Sequence, residues 1–278
     1  MSMLQTFVSL FTQQNLSALR EKFLHSTSWT QQGCKAYGAE QLKSIPLSWF
    51  YYAGLSRCDR ANVVEGQEQS LVSLSLTPKD GTQNVDYVFW LEHQKDVIKS
   101  IHSIVDSKAL ISGLSLFEDD YLNRMPTPAP LVICNYDQQD HLQNELAKPS
   151  DYISNVGLSE TLDLWWSIWA KSNLSAALEV YFEHKQPELI ASYPATEVVL
   201  NLNQKLSRIF CQIESVIHDS KQGTVAIKWY LDGDHQGQRV RLNFISEFEF
   251  EQSKISVEKL HFDPLAFKKR YSNLSLFD

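Results

Sequence analysis

One phrase is written twice in this chain. Residues 7–18 read FVSLFTQQNLSA, and residues 165–176 read WWSIWAKSNLSA, 158 positions later. A repeat at a fixed offset constrains the fold more than any single motif, because a doubled element implies a doubled domain. Phe7 and Trp165, Leu10 and Ile168, and Phe11 and Trp169 match in kind, Ser9 and Ser167 in identity, and the four letters NLSA recur unchanged. The apolar residues Leu4, Phe7, Leu10 and Phe11 have helical spacing, as do Leu162, Trp165, Ile168 and Trp169. Asn15 and Asn173 then stand where a second helix restarts, since an asparagine side chain can accept from an orphaned first-turn amide.

A second echo lies downstream. IKSIHS (98–103) answers VEKLHF (257–262) at an offset of 159, which aligns His102 with His261 in a shared structural role. Between the copies come the stiff PTPAP (126–130) and the polar DQQDHLQNELAKPSD (137–151), which read as a connector. The domains are therefore expected at 1–106 and 157–278, with the connector at 107–156 and an added edge strand at LVICNY (131–136).

The sheet signal is clearest near the end. Val240, Leu242, Phe244, Ser246, Phe248 and Phe250 alternate with Arg239, Arg241, Asn243, Ile245, Glu247, Glu249 and Glu251. That period of two predicts one apolar and one charged face, with the EFEFE run (247–251) on a solvated side. Val225, Ile227, Trp229 and Leu231 form another such run, and DGDHQG between the two predicts an antiparallel hairpin. KISVEKLHFD loses its alternation between Val257 and Leu260, which suggests a bulge at Glu258–Lys259. Earlier, Val72, Leu74 and Leu76 form one run; Val85, Tyr87, Phe89, Leu91 and His93 form the next. Helices first, then long antiparallel strands, is α+β order.

Composition narrows the function. At 278 residues and 43% apolar content, the chain can bury two cores. Its formal charge of −8 argues against a nucleic-acid partner, which would need a basic footprint. Cys34, Cys58, Cys134 and Cys211 are far apart with no CxxC, the usage of a reducing compartment. The N-terminal MSMLQTFVSLFTQQ has neither a basic head nor a cleavage site, and no apolar run reaches membrane-spanning length. A cytoplasmic protein without a membrane partner is the expectation.

The order of helix, NLSA restart, short strand, glycine-led helix and three long antiparallel strands ending near Asp263 resembles the nuclear transport factor 2-like superfamily. That superfamily includes ketosteroid isomerases and SnoaL-like polyketide cyclases. YGAEQL (37–42) is similar to the family's third-helix start, and residues 225–263 resemble its strand block; the second half has YPATEVVLNL in place of the glycine-led start. The resemblance implies two tandem cone-shaped domains, each with N-terminal helices packed on a curved antiparallel sheet around an apolar pocket. It also implies that the halves pair as an intramolecular pseudo-dimer.

Isomerase relatives use a first-helix tyrosine, an aspartate after the second helix and a protonated acid on a strand. Aligned through NLSA, the tyrosine position falls at Phe7 and Trp165; phenylalanine has no donor, and an indole N–H points elsewhere. The aspartate position falls near Tyr193 and in TSWTQQ (27–32), neither with a carboxylate. The inward strand face of the second half offers only Ser246 as a polar group. No GxGxxG, P-loop, GxSxG or HExxH occurs, so no cofactor or metal is implied. DGDHQGQRVRLN spaces Asp232, Asp234 and Gln236 like a calcium loop but has Asn243 where the closing glutamate belongs, which favours a hairpin turn.

The leading expectation is a tandem protein that binds a small apolar molecule or acts as a scaffold without catalysis. Its ligand would be lined by Trp165, Trp169, Tyr193, Trp229, Phe244 and Ser246 in the second half, and by Phe7, Phe11, Phe89 and His93 in the first. The enzyme alternative, a SnoaL-like cyclase, isomerase or hydrolase, would draw its acid and base from His261, Asp263 and His235. His261 and Asp263, two apart on one strand, would then share a face. A protein-interaction module is the third alternative.

Overall fold

The computed structural model describes residues 2–13, 23–31, 34–37, 55–78, 84–113, 116–124, 147–181, 188–189 and 195–271. The chain divides into two compact units: Met1–Ala129 with Asp263–Arg270, and Pro130–Phe262 with Tyr271–Asp278. Each combines helices with a mainly antiparallel sheet, the α+β class expected. No described helix is long and apolar enough to cross a membrane. The segments 15–18, 38–42, 126–130 and 131–136, along with Tyr193, lie outside the described residues.

The first unit opens with α1 (Met3–Thr12). Ser2 caps it reciprocally: its hydroxyl accepts from the Gln5 amide at 3.2 Å, while the Gln5 side chain accepts from the Ser2 amide at 3.0 Å. The predicted stripe of Leu4, Phe7, Leu10 and Phe11 is buried. The sheet uses β1 (Phe23–Gln31), β2 (Cys34–Tyr37), β3 (Leu55–Glu65), β4 (Gln69–Pro78), β5 (Val85–Gln94) and β6 (Val97–Val105), in the order β2-β1-β6-β5-β4-β3. Only β1–β6 pairs in parallel. Two short helices, α2 (Ser107–Gly113) and α3 (Glu118–Arg124), follow within the stretch expected to be connector.

The second unit opens with α4 (Val156–Lys171), capped by Asn155, whose side chain accepts from the Leu158 amide at 3.3 Å. Ser172, in the left-handed region at φ 54°, ends the helix. The chain does restart at NLSA, as a 3-10 turn over Leu174–Ala176 running into α5 (Ala177–Val180). Asn173 does not cap that turn, however. Its amide nitrogen donates back to Ser167 at 3.2 Å, and its oxygen accepts from Ser175 at 2.7 Å. Then come β7 (Glu188–Leu189), α6 (Ala195–Lys205), β8 (Ser207–Asp219), β9 (Thr224–His235), β10 (Gln238–Glu251) and β11 (Lys254–His261), with sheet order β7-β11-β10-β9-β8. The last described helix, α7 (Pro264–Arg270), belongs to the first unit.

The β9–β10 hairpin forms where expected, on the two-residue turn Gln236–Gly237 with φ of 49° and 82°. The calcium-like spacing is spent on arginines: Arg241 grips Asp232 through two bonds of 2.6 Å, and Arg208 reaches Asp234 at 2.8 Å. The bulge sits earlier than the sequence suggests. Glu249 pairs with Val257 and Phe250 with Ile255, so Ser256 is the extra residue. The same irregularity occurs in the first unit, where Glu92 pairs with Ser100 and His93 with Ile98, leaving Lys99 over.

These two hairpins align the sheets more securely than the letters do. Lys95 and Gln252 each open the turn, so the strand blocks correspond at an offset of 157. His102 therefore matches Lys259 and not His261. His102 faces Trp90 across β5, whereas His261 faces Ile245 across β10.

Candidate functional site

The second unit's interior is built from rings. Trp165 and Trp169 from α4 meet Trp229 from β9 and Phe244 and Phe248 from β10. Trp165 stands edge-on to Phe248 at 4.8 Å and to Trp229 at 5.9 Å, while Trp229 stacks on Phe244 at 4.5 Å. Such pairs add about 0.5–1.5 kcal/mol each beyond burial. Every one of these residues is buried, so the candidate lining groups spend most of their surface on one another. Ser246 is buried among them and accepts from the Trp229 indole at 3.0 Å. Rings likewise fill the first unit: Phe7 is edge-on to Phe89 at 5.2 Å, and Phe11 lies 4.9 Å from the same ring. His93 is buried there with Nε2 3.0 Å from the Ser70 hydroxyl, and burial lowers its pKa.

One ionisable group interrupts the second set of rings. Glu258, on β11, is 1% exposed. The Trp165 indole donates to its Oε1 at 2.9 Å, and the Tyr181 hydroxyl donates to its Oε2 at 2.5 Å. Burial pushes its carboxyl up to about 7, against the pull of those two donors. Burial, then the neighbouring Glu258 charge, also holds the Tyr181 phenol well above its usual range. The sequence places Ser246 alone on the inward face and sends the Trp165 N–H elsewhere. Both expectations are corrected by the bulge at Ser256, which turns Glu258 toward α4.

The three acid–base candidates are not brought together. β11 ends at His261, so Asp263 shares no strand face with it and belongs to the other unit. His261 instead pairs with Glu247 across β10 at 3.2 Å, both buried; this corrects the expectation that Glu247 lies on a solvated face. Asp263 caps α7, accepting from the Ala266 amide at 2.9 Å and from the Ser107 hydroxyl. The Ser107 oxygen in turn accepts from the Leu265 amide at 3.1 Å. Asp106 caps α2 the same way through the Ala109 amide at 2.9 Å. Burial, and then the nearby charges of Asp263 and Asp86, raise its pKa to about 6 despite that bond. The His235 ring is anchored to the Lys205 carbonyl, with Nδ1 at 2.8 Å.

Solved structures align with about half of the chain at low identity. A protein described as a SnoaL-like polyketide cyclase, from Jannaschia Sp. CCS1, aligns at 17% identity and TM-score 0.35 over 41% of this chain and 91% of its own. A nuclear transport factor 2-like protein from Burkholderia xenovorans LB400 aligns at 15% identity and TM-score 0.32, over 40% and 92%. An LEH-like epoxide hydrolase from M. tuberculosis aligns at 10% identity and TM-score 0.34, over 41% and 84%. The chain resembles nuclear transport factor 2-like proteins. No protein-family model matches it, and no curated protein matches it. The nuclear transport factor 2-like likeness concerns the fold; the chemistry at Glu258 stands on this chain's own residues.

Proposed function

We propose that this is a tandem nuclear transport factor 2-like protein whose second unit binds a small, largely apolar molecule through Glu258, while its first unit serves as a scaffold without catalysis. The observation that carries this reading is the buried carboxyl itself. A buried charge is costly, and a fold keeps one where it has a use. The first unit demonstrates that the architecture does not require it: the matching position, opposite Leu91 as Glu258 is opposite Phe248, holds the buried Ile101. The rings would supply the apolar contact and Glu258 with Tyr181 the polar handle.

A second reading follows from the same atom. A carboxyl that titrates near neutrality is suited to moving a proton, so acid–base chemistry would centre on Glu258. In either case, His235, His261 and Asp263 keep to the backbone and side-chain anchoring described above.

The test is a thermal-shift screen of the full chain against small apolar compounds that each carry one polar group. At least one compound should raise the melting temperature, and Glu258→Ile should abolish that rise while preserving a cooperative melt. A screen without any shift, or a shift untouched by E258I, would sink the binding reading.

A further inference from the structure

The chemistry around Glu258 narrows the ligand class; the argument rests on the reading that the second unit binds a ligand. A carboxylate offers about four acceptor positions, and two are taken here, by the Trp165 indole and the Tyr181 phenol. Among the described residues, no lysine or arginine pairs with Glu258, and both of its partners there are neutral. Around it are aromatic rings, whose electron-rich faces attract positive charge: Trp165 and Phe248 at the carboxyl, with Trp166 and Trp229 behind. Apolar walls, cation-attracting rings and an uncompensated carboxyl complement one kind of small molecule. We infer that the second unit takes a lipophilic organic ammonium ion bearing at least one N–H, ion-paired with Glu258.

Tyr181 follows α5, is joined to the sheet by a bridge to Ile255, and is half-buried where Glu258 is sealed. The arrangement also fixes how binding depends on pH. Among the described residues, the groups facing Glu258 are Trp165 from α4, Tyr181 after α5 and Phe248 across β10; of these only Tyr181 titrates, and it stays a neutral phenol. An ammonium ligand therefore binds best above neutrality, where Glu258 is ionised, and loses affinity as acid protonates it.

The experiment titrates the full chain with N,N-dimethylbenzylamine and with isobutylbenzene, its uncharged isostere, following binding by ligand-observed NMR at about pH 8 and about pH 5.5, on either side of Glu258's titration. The amine should bind roughly tenfold or more tightly than the hydrocarbon at the higher pH, because a charge-assisted bond is lost in the isostere. That advantage should shrink at the lower pH and vanish in Glu258→Gln. If the hydrocarbon binds as tightly as the amine and E258I weakens both, the ammonium inference falls and the binding reading survives. If neither these probes nor any screened compound binds, both fall. Amine binding unchanged in E258Q also overturns the inference. Should E258Q fail to fold, the two pH arms on the unaltered protein decide.

Discussion

The two units solve one packing problem with different residues, and the differences are paired. Where the first has Leu74 on β4 and Phe89 on β5, the second has Trp229 on β9 and Ser246 on β10. A medium and a large side chain have become a very large and a very small one, at nearly constant volume, as interdigitating cores require. The Ser246 hydroxyl also satisfies the indole N–H that the larger ring brings in. The second exchange is not volume-neutral chemistry. Phe7 and Ile101 in the first unit correspond to Trp165 and Glu258 in the second, so a donor and a carboxyl arrive together. The first exchange is repacking, and the second installs a polar pair. What the comparison teaches is that a carboxyl enters such a core only alongside its partners.

That lesson can be broken most forcefully by writing the carboxyl into the wrong unit. Ile101→Glu places an acid beside the Trp29 indole, whose N–H is already given to Ser103 at 2.8 Å, and should cost about 3 kcal/mol or more in urea unfolding at pH 7. Glu258→Ile should cost far less, since removing the buried charge offsets the two stranded donors. Equal costs would erase the distinction. Next in size, Trp229→Leu should destabilise by about 3 kcal/mol through the cavity it leaves. Adding Ser246→Phe, which restores the first unit's pattern, should recover a good part of that loss. A double variant no better than the sum of the singles would show that the two sites do not share one space.

A smaller effect tests the electrostatics. Glu258 is raised from 4.5 to about 7 on folding, so its ionised form opposes the fold. The penalty is fully present above about pH 7, fades as pH falls through the folded value, and is gone below the unfolded one. The shift corresponds to about 3 kcal/mol. Stability should therefore climb on acidification from pH 8 to 5, and Glu258→Gln should flatten the climb. Asp106 in the first unit, raised from 3.8 to about 6, leaves a residual slope of the same sign at lower pH. The smallest prediction concerns the two asparagines. Asn155→Ala removes a cap and should cost about 1 kcal/mol, whereas Asn173→Ala, which caps nothing, should cost less than half as much.

Much of the scaffold was legible in the sequence. Helix spacing at Phe7 and Trp165, and alternation along β4, β5, β9 and β10, follow from an apolar inner face on each element, which is a local property even where, as on β5 and β9, the other face is largely buried too. β3 and β8 were harder to see, because register shifts at Cys58/Arg60 and Ile213/Ser215 blur their alternation. The site itself was nearly hidden, and for one reason. A single extra residue reverses which side chains face inward, and whether it is Ser256 or Glu258 decides if the carboxyl meets Trp165 or points away. Nothing in KISVEKLHFD distinguishes those registers without the opposing strand. Likewise Glu247 reads as a surface glutamate until His261 appears across from it.

The chain's passage from β11 into α7 has a consequence for how the molecule is made. Residues 263–270 are the last described element to be synthesised, yet they finish the half that emerges first. The early-born half must therefore wait, one helix short, until the whole second unit up to Phe262 has been made. A fragment ending at Ala129 would lack that piece, and an added peptide carrying Asp263 and Leu265 should be needed to complete it.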